Sequence, residues 1–185
     1  MVGLILDLVN IIIEYLDIHN YAELIKLNSG KYSWKKYFKG KLPDIYESIN
    51  IYDNLDLVKY IVAQDSPKLN YNIVNPKSIL IAEYIIQKFP IGYQDSDDKE
   101  YESLIYNTLK SNNSEVFEYL LYLKKYYFGG KILRETKDAN FETIKVLLKF
   151  AQDKLCIQDY KQTVDNLTFY VKSLTIKKYL QGLRC

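Results

Sequence analysis

Apolar residues recur at positions i, i+3, i+4 and i+7 along almost the whole of this 185-residue chain, and strict alternation is rare. That spacing draws a stripe down one side of a 3.6-residue helix, so the chain is committed to amphipathic helices packed through their stripes. The spacing predicts helices over 4–17, 21–27, 34–38, 55–63, 78–89, 99–110, 115–127, 141–152, 161–173 and 176–183. Gly, Pro and Asn/Asp/Ser clusters separate them at 28–30, 40–43, 66–67, 90, 129–130 and 138–140. Asn-Gly and Asp-Gly, the strongest hairpin signals, are both absent. The expected fold class is all-α, with short helices joined by short loops.

Composition narrows what such helices can do. With 48% apolar residues the chain can bury a core. His19 is the single histidine, and Cys156 and Cys185 are the two cysteines, which excludes a Cys/His zinc site and a disulfide framework. Apolar runs extend three to five residues, against about 20 needed to cross a bilayer. Asp7, Asn10 and Glu14 interrupt the greasy first 16 residues and no basic stretch precedes them, which argues against a signal peptide. These features point to a cytoplasmic or nuclear protein, not secreted and not a membrane protein. Lys and Arg number 25 against 23 acids, and Arg134 and Arg184 are the two arginines. Bidentate recognition of phosphate or guanine uses arginine's planar fork, so this usage argues against a nucleic-acid reader. The 23 Lys, 21 Ile, 19 Tyr and 13 Asn share A/T-rich codons, so the tyrosines read as core and groove fillers.

Similar phrases recur along the chain: NLDLVKYIV (54–62), SILIAEYII (78–86), NSEVFEYLL (113–121), NFETIKVLL (140–148) and NLTFYVKSL (166–174). Their fifth residues lie 24, 35, 27 and 26 apart. The fullest unit, SLIYNTLKSNNSEVFEYLL (103–121), has a short helix, a polar turn and a second helix, and GKILRETKDANFETIKVLL (130–148) reads the same way. Both units resemble ankyrin repeats. The family's period is about 33 residues, and no copy here carries its T-P-L-H phrase or inter-helix glycine. Asn54, Asn113, Asn140 and Asn166 stand where a second helix needs a polar cap or a left-handed residue. The resemblance implies a degenerate ankyrin-like solenoid over 43–185, in which each helix pair buries its apolar face on its neighbours. The competing reading is an irregular helical bundle.

Residues 4–38, LILDLVNIIIEYLDIHNYAELIKLNSGKYSWKKYF, resemble an F-box. Leu4, Leu8, Ile12, Tyr15 and Leu16 fall on the first-helix positions, residues 17–20 on the Asp-rich turn, Leu24 and Leu27 on the second helix, and Trp34 near the closing Trp. Ile5 stands where the family has proline. The apolar residues of this first helix spread around most of its circumference, which a small module over 1–42 cannot cover alone. The resemblance implies that Leu4, Ile5, Leu8, Ile12, Leu16 and Leu24 contact the Skp adaptor of a cullin-type ubiquitin ligase. The competing reading is a helix that caps the repeats.

F-box-type segments joined to ankyrin repeats resemble proteins of poxviruses and giant DNA viruses. That resemblance implies a non-enzymatic, host-directed viral protein–protein interaction adaptor, whose repeats hold a target through residues such as Tyr106, Lys110, Arg134 and Lys137. A stoichiometric binder or inhibitor with no ligase link is the alternative. A third reading takes KYSWKKYFKGK (31–41), with its five lysines and interleaved aromatics, as a nucleic-acid site. Helical spacing instead turns Trp34, Tyr37 and Phe38 inward and leaves the lysines solvated. No Ser or Cys motif joins His19 and Asp17, so no catalytic constellation forms. Asp95, Asp97, Asp98, Glu100 and Glu102 read as a solvated loop leading into a helix, since they lack the glycine and closing glutamate of a calcium loop. Cys156 is expected between packed helices. No cofactor or metal is expected.

Overall fold

The computed structural model describes residues 44–65, 69–89, 95–123 and 130–183, and every regular element among them is helical. The chain divides between Pro67 and Lys68 into two compact units. In the first, α1 (Ile45–Asn50) packs on α2 (Leu55–Asp65). The Asp44 carboxylate opens α1 by accepting the Glu47 N–H at 2.7 Å, and Asn54 opens α2 by accepting the Leu57 N–H at 3.0 Å. Each cap satisfies an amide that the helix itself leaves unpaired. Ile45 and Ile49, and Leu57, Val58, Ile61 and Val62, form the buried faces of the two helices.

The second unit begins with a 3-10 turn (Tyr71–Ile73) and α3 (Ile79–Lys88). It continues through α4 (Asp95–Lys110), α5 (Ser114–Leu123) and α6 (Gly130–Glu135), which runs into a second 3-10 turn (Thr136–Asp138). It ends with α7 (Phe141–Lys154), α8 (Ile157–Tyr170) and α9 (Leu174–Gly182). Two rows of neighbours result. In one, α4 packs on the 71–73 turn and on α6, and α6 packs on α8. In the other, α5 packs on α3 and on α7. The rows are joined where α4 meets α5, α7 meets α8, and α8 meets α9. Buried between them are Ile81, Ile85, Leu104, Ile105, Phe117, Leu120, Leu121, Ile144, Leu147 and Leu167. Each such side chain contributes about 1.5–3 kcal/mol by leaving water.

Two buried tyrosines serve the rows in the same way. The Tyr71 hydroxyl donates to the carbonyls of Phe89 at 2.6 Å and Ile85 at 3.3 Å, and the Tyr101 hydroxyl donates to that of Leu120 at 2.5 Å. Each ring fills the core while its hydroxyl meets carbonyls near the end of the facing helix.

The turns between elements are bonded to one another. After α4, Asn112 adopts a left-handed conformation with φ 57°. The Asn112 N–H donates to Leu109 O at 3.1 Å and the Asn113 N–H to Thr108 O at 3.2 Å, a complete Schellman closure. Asn113 Nδ2 then donates to Pro76 O and Lys77 O, both at 3.1 Å. On the other side, Asn112 Oδ1 accepts the Asn140 N–H at 2.6 Å. Further along, the Lys172 N–H donates to Lys137 O at 3.0 Å. Asn107 Nδ2 sits 2.9–3.2 Å from the carbonyls of Tyr71, Asn72 and Val74, so two protons serve three acceptors.

Several sequence expectations need correction. The phrase at 166–174 is not a second helix, because α8 runs to Tyr170 and turns through 171–173 before α9. Leu167 and Val171 are simply the last inward residues of α8, and Asn166 lies within that helix and caps nothing. The acidic run from Asp95 is helical, not a loop, since α4 starts there. Cys156 is exposed at the amino-terminal cap of α8. It occupies the short connection from α7 and does not pack between helices.

Candidate protein-interaction surface

Helix faces that do not look inward decide what the second unit can touch. On α5 and α7 the outward side chains are paired across the helices. Lys149 Nζ meets Glu118 Oε1 at 2.7 Å, and the Tyr122 hydroxyl donates to Asp153 Oδ2 at 2.6 Å. Partial burial, reinforced by Asp153 and Glu118, pushes the Tyr122 phenol up to about 12. The Glu118 carboxylate raises the Lys149 ammonium in turn. Both shifts keep the donor protonated, so the α5–α7 face holds its own charges in place. A shallow cleft of about 200 Å³ runs along it, between Ser114 and Glu118 on one side and Glu142 and Lys149 on the other. Exposed pairs of this kind add little to stability, because water and salt screen them.

A second concavity lies where the amino-terminal end of α7 faces α9. It has a volume of about 350 Å³, and Ala139, Phe141, Ile176 and Tyr179 supply its apolar lining. The Phe141 and Tyr179 rings meet edge to face, with centroids 4.9 Å apart and planes at 78°. Lys145 Nζ stands 4.6 Å from the Phe141 centroid and also meets Glu142 Oε1 at 2.9 Å. Across the turn, Lys172 Nζ meets Asp138 Oδ1 at 2.9 Å, and that lysine holds the Asp138 carboxyl below its ordinary range.

Of the residues singled out in the sequence, Leu4, Ile5, Leu8, Ile12, Leu16 and Leu24 lie outside the described residues, as do His19 and the basic stretch 31–41. Tyr106, Lys110, Arg134 and Lys137 are brought to adjacent elements, because α4 packs on α6 and on the 136–138 turn. Lys110 Nζ meets Glu135 Oε2 at 3.2 Å. Arg134 and Lys137 are exposed beside that pair, whereas Tyr106 is 7% exposed and belongs to the core. The apolar concavity went unnoticed in the sequence, since Phe141 and Tyr179 are separated by the whole of α8.

Among the described residues no three His, Cys, Asp or Glu side chains gather as a metal-binding group, and no helix is long and apolar enough to cross a membrane. No protein-family model, curated protein or solved structure matches the chain.

Proposed function

We propose that this chain is a non-enzymatic protein–protein interaction adaptor in which an ankyrin-like stack of helix pairs presents a surface to a partner. The single observation that carries the reading is the bonding between successive turns. Asn113 reaches Pro76 and Lys77, Asn140 reaches Asn112, and Lys172 reaches Lys137. Such bonds hold each helix pair in register with the one before it, which is how a stack of small units becomes one surface. Around that edge stand exposed Lys110, Arg134 and Lys137 and the α7–α9 concavity. Affinity capture with the full chain, followed by size-exclusion of the recovered complex at moderate salt, tests the reading. A stoichiometric protein complex is the expected result. Recovery of nucleic acid alone, released steeply by salt, overturns it.

Within this reading, the F-box resemblance of residues 4–38 supports a ligase link: a module over 1–42 binds a Skp adaptor and the stack over 43–185 holds the target. Pull-down against recombinant Skp adaptor separates this from a stoichiometric inhibitor with no ligase link. Binding lost in Leu8→Asp/Ile12→Asp, with the helical circular-dichroism signal intact, is the expected result. No binding by the unmodified chain removes the ligase link and leaves the inhibitor reading.

A further inference from the structure

We infer that the concavity between α7 and α9 takes one large apolar side chain projecting from an acidic stretch of a partner polypeptide. This rests on the interaction-adaptor reading and names the chemistry of the partner. Three observations converge.

The first is size and lining. At about 350 Å³ the concavity is at the small end of ligand pockets, which run from about 300 to 1,000 Å³. It has room for a single bulky side chain. Its apolar wall comes from Phe141, Ile176 and Tyr179, and Tyr179 is 38% exposed.

The second is the state of its polar atoms. Asn140 Oδ1 already accepts the Thr143 N–H at 2.8 Å, and Ser173 Oγ accepts the Ile176 N–H at 3.5 Å. Both oxygens are engaged in capping their helices, and Asn140 Nδ2 donates to Asn112 O at 3.5 Å. This leaves the Thr175 hydroxyl among apolar neighbours on the lining, so recognition inside the concavity falls mainly to apolar contact.

The third is the charge around it. Lys137, Lys145, Lys172 and Lys178 are exposed within four residues of the lining, with Lys177 half-buried beside them, against the acids Asp138 and Glu142. Lys172 engages Asp138 and Lys145 engages Glu142, so both acids are already neutralised within the protein. The surplus favours a partner whose flanking residues are acidic, and it steers such a partner toward the opening.

A polynucleotide would meet the same cations less well. Phe141 and Tyr179 stand edge to face and Lys145 stands over the Phe141 ring, so the two rings do not form parallel platforms for successive bases. The segments 137–145 and 172–179 that supply the lining carry lysines and no arginine fork.

The test uses the full-length chain and fluorescein-labelled peptides DEDFDED and DEDSDED, read by fluorescence anisotropy, with single-stranded oligothymidylate as comparator. The Phe peptide is expected to bind roughly tenfold tighter than the Ser peptide, as an anchor residue would. Thr175→Trp, at an exposed position on the lining, fills the opening and should abolish that advantage. Lys137→Glu/Lys178→Glu should weaken both peptides without removing it. Thermal melts of each variant confirm that the fold is retained. Equal affinity for the two peptides, indifference of the Phe peptide to Thr175→Trp, or tighter binding of oligothymidylate overturns the inference. A cellular protein complex that still forms with Thr175→Trp likewise sinks the concavity as the docking site, while leaving the adaptor reading standing.

Discussion

Thr143 is fully buried on α7, and its hydroxyl finds no hydrogen-bond partner among the described residues. An unpaired buried hydroxyl costs free energy that a methyl group of the same shape does not. Thr143→Val should therefore raise stability by about 1 kcal/mol, read as a higher urea midpoint at unchanged slope. Tyr71 shows the opposite case, a buried hydroxyl with two carbonyl acceptors. Burial, with a smaller contribution from Glu100, pushes its phenol well above the ordinary value. A raised phenol means that the native state holds its proton more tightly than the unfolded chain does. The associated stability is complete below the ordinary phenol value and is lost as pH rises through the raised one, that is, above pH ~10. Tyr71→Phe should cost about 1 kcal/mol at neutral pH and flatten the decline in stability above pH ~10. Equal alkaline slopes in the two proteins would show that other groups govern it.

Among the elements, the turn after α4 carries the most consequence in the fewest residues. Asn112 closes the helix in the left-handed region and accepts the Asn140 N–H with its side chain. Replacement by Gly keeps the backbone but loses the bond, whereas replacement by Ala loses the bond and also incurs the left-handed penalty of about 1–2 kcal/mol. Asn112→Ala should thus be less stable than Asn112→Gly by about 1 kcal/mol or more, measured by urea unfolding of both. Equal stability would mean that this turn is not held left-handed in solution. The longer helices are legible in sequence because their apolar spacing persists over two or more turns, as in α5 and α7. Helices α1 and α6 span six residues each and the 3-10 turns three, too short to display a period. The phrase at 166–174 misled for a related reason. Its apolar residues continue the stripe of α8, and periodicity cannot distinguish the end of one helix from the start of another.

For the whole second unit, contacts run between neighbours in each row, so stability should behave as a sum of local pieces and interfaces. Helix α9 packs on α8 through buried Ile176 and Leu180. A chain ending at Lys172 uncovers that face of α8. Its urea midpoint should fall, and its unfolding slope should fall in proportion to the surface no longer buried. An unchanged midpoint would show that α9 docks without supporting the rest. The same neighbour-by-neighbour construction assembles the candidate surface. Lys110, Arg134 and Lys137 stood out in sequence as first-helix and turn residues of the repeat-like units 103–121 and 130–148, and the structure places them on adjoining elements. Tyr106 belongs to the first helix of the unit 103–121, yet its ring turns inward, because an aromatic residue on an amphipathic helix is decided by the face it occupies.

Periodicity, cap residues and the absence of hairpin turns determined the helical class of the described residues and the asparagines that open α2, α5 and α7. Those are local properties, settled within a turn or two of chain by backbone hydrogen bonding. Which helices become neighbours, which turn bonds to which, and the meeting of Phe141 with Tyr179 were decided only by tertiary packing. They depend on side chains brought together from distant segments, and one-dimensional spacing holds no record of such encounters.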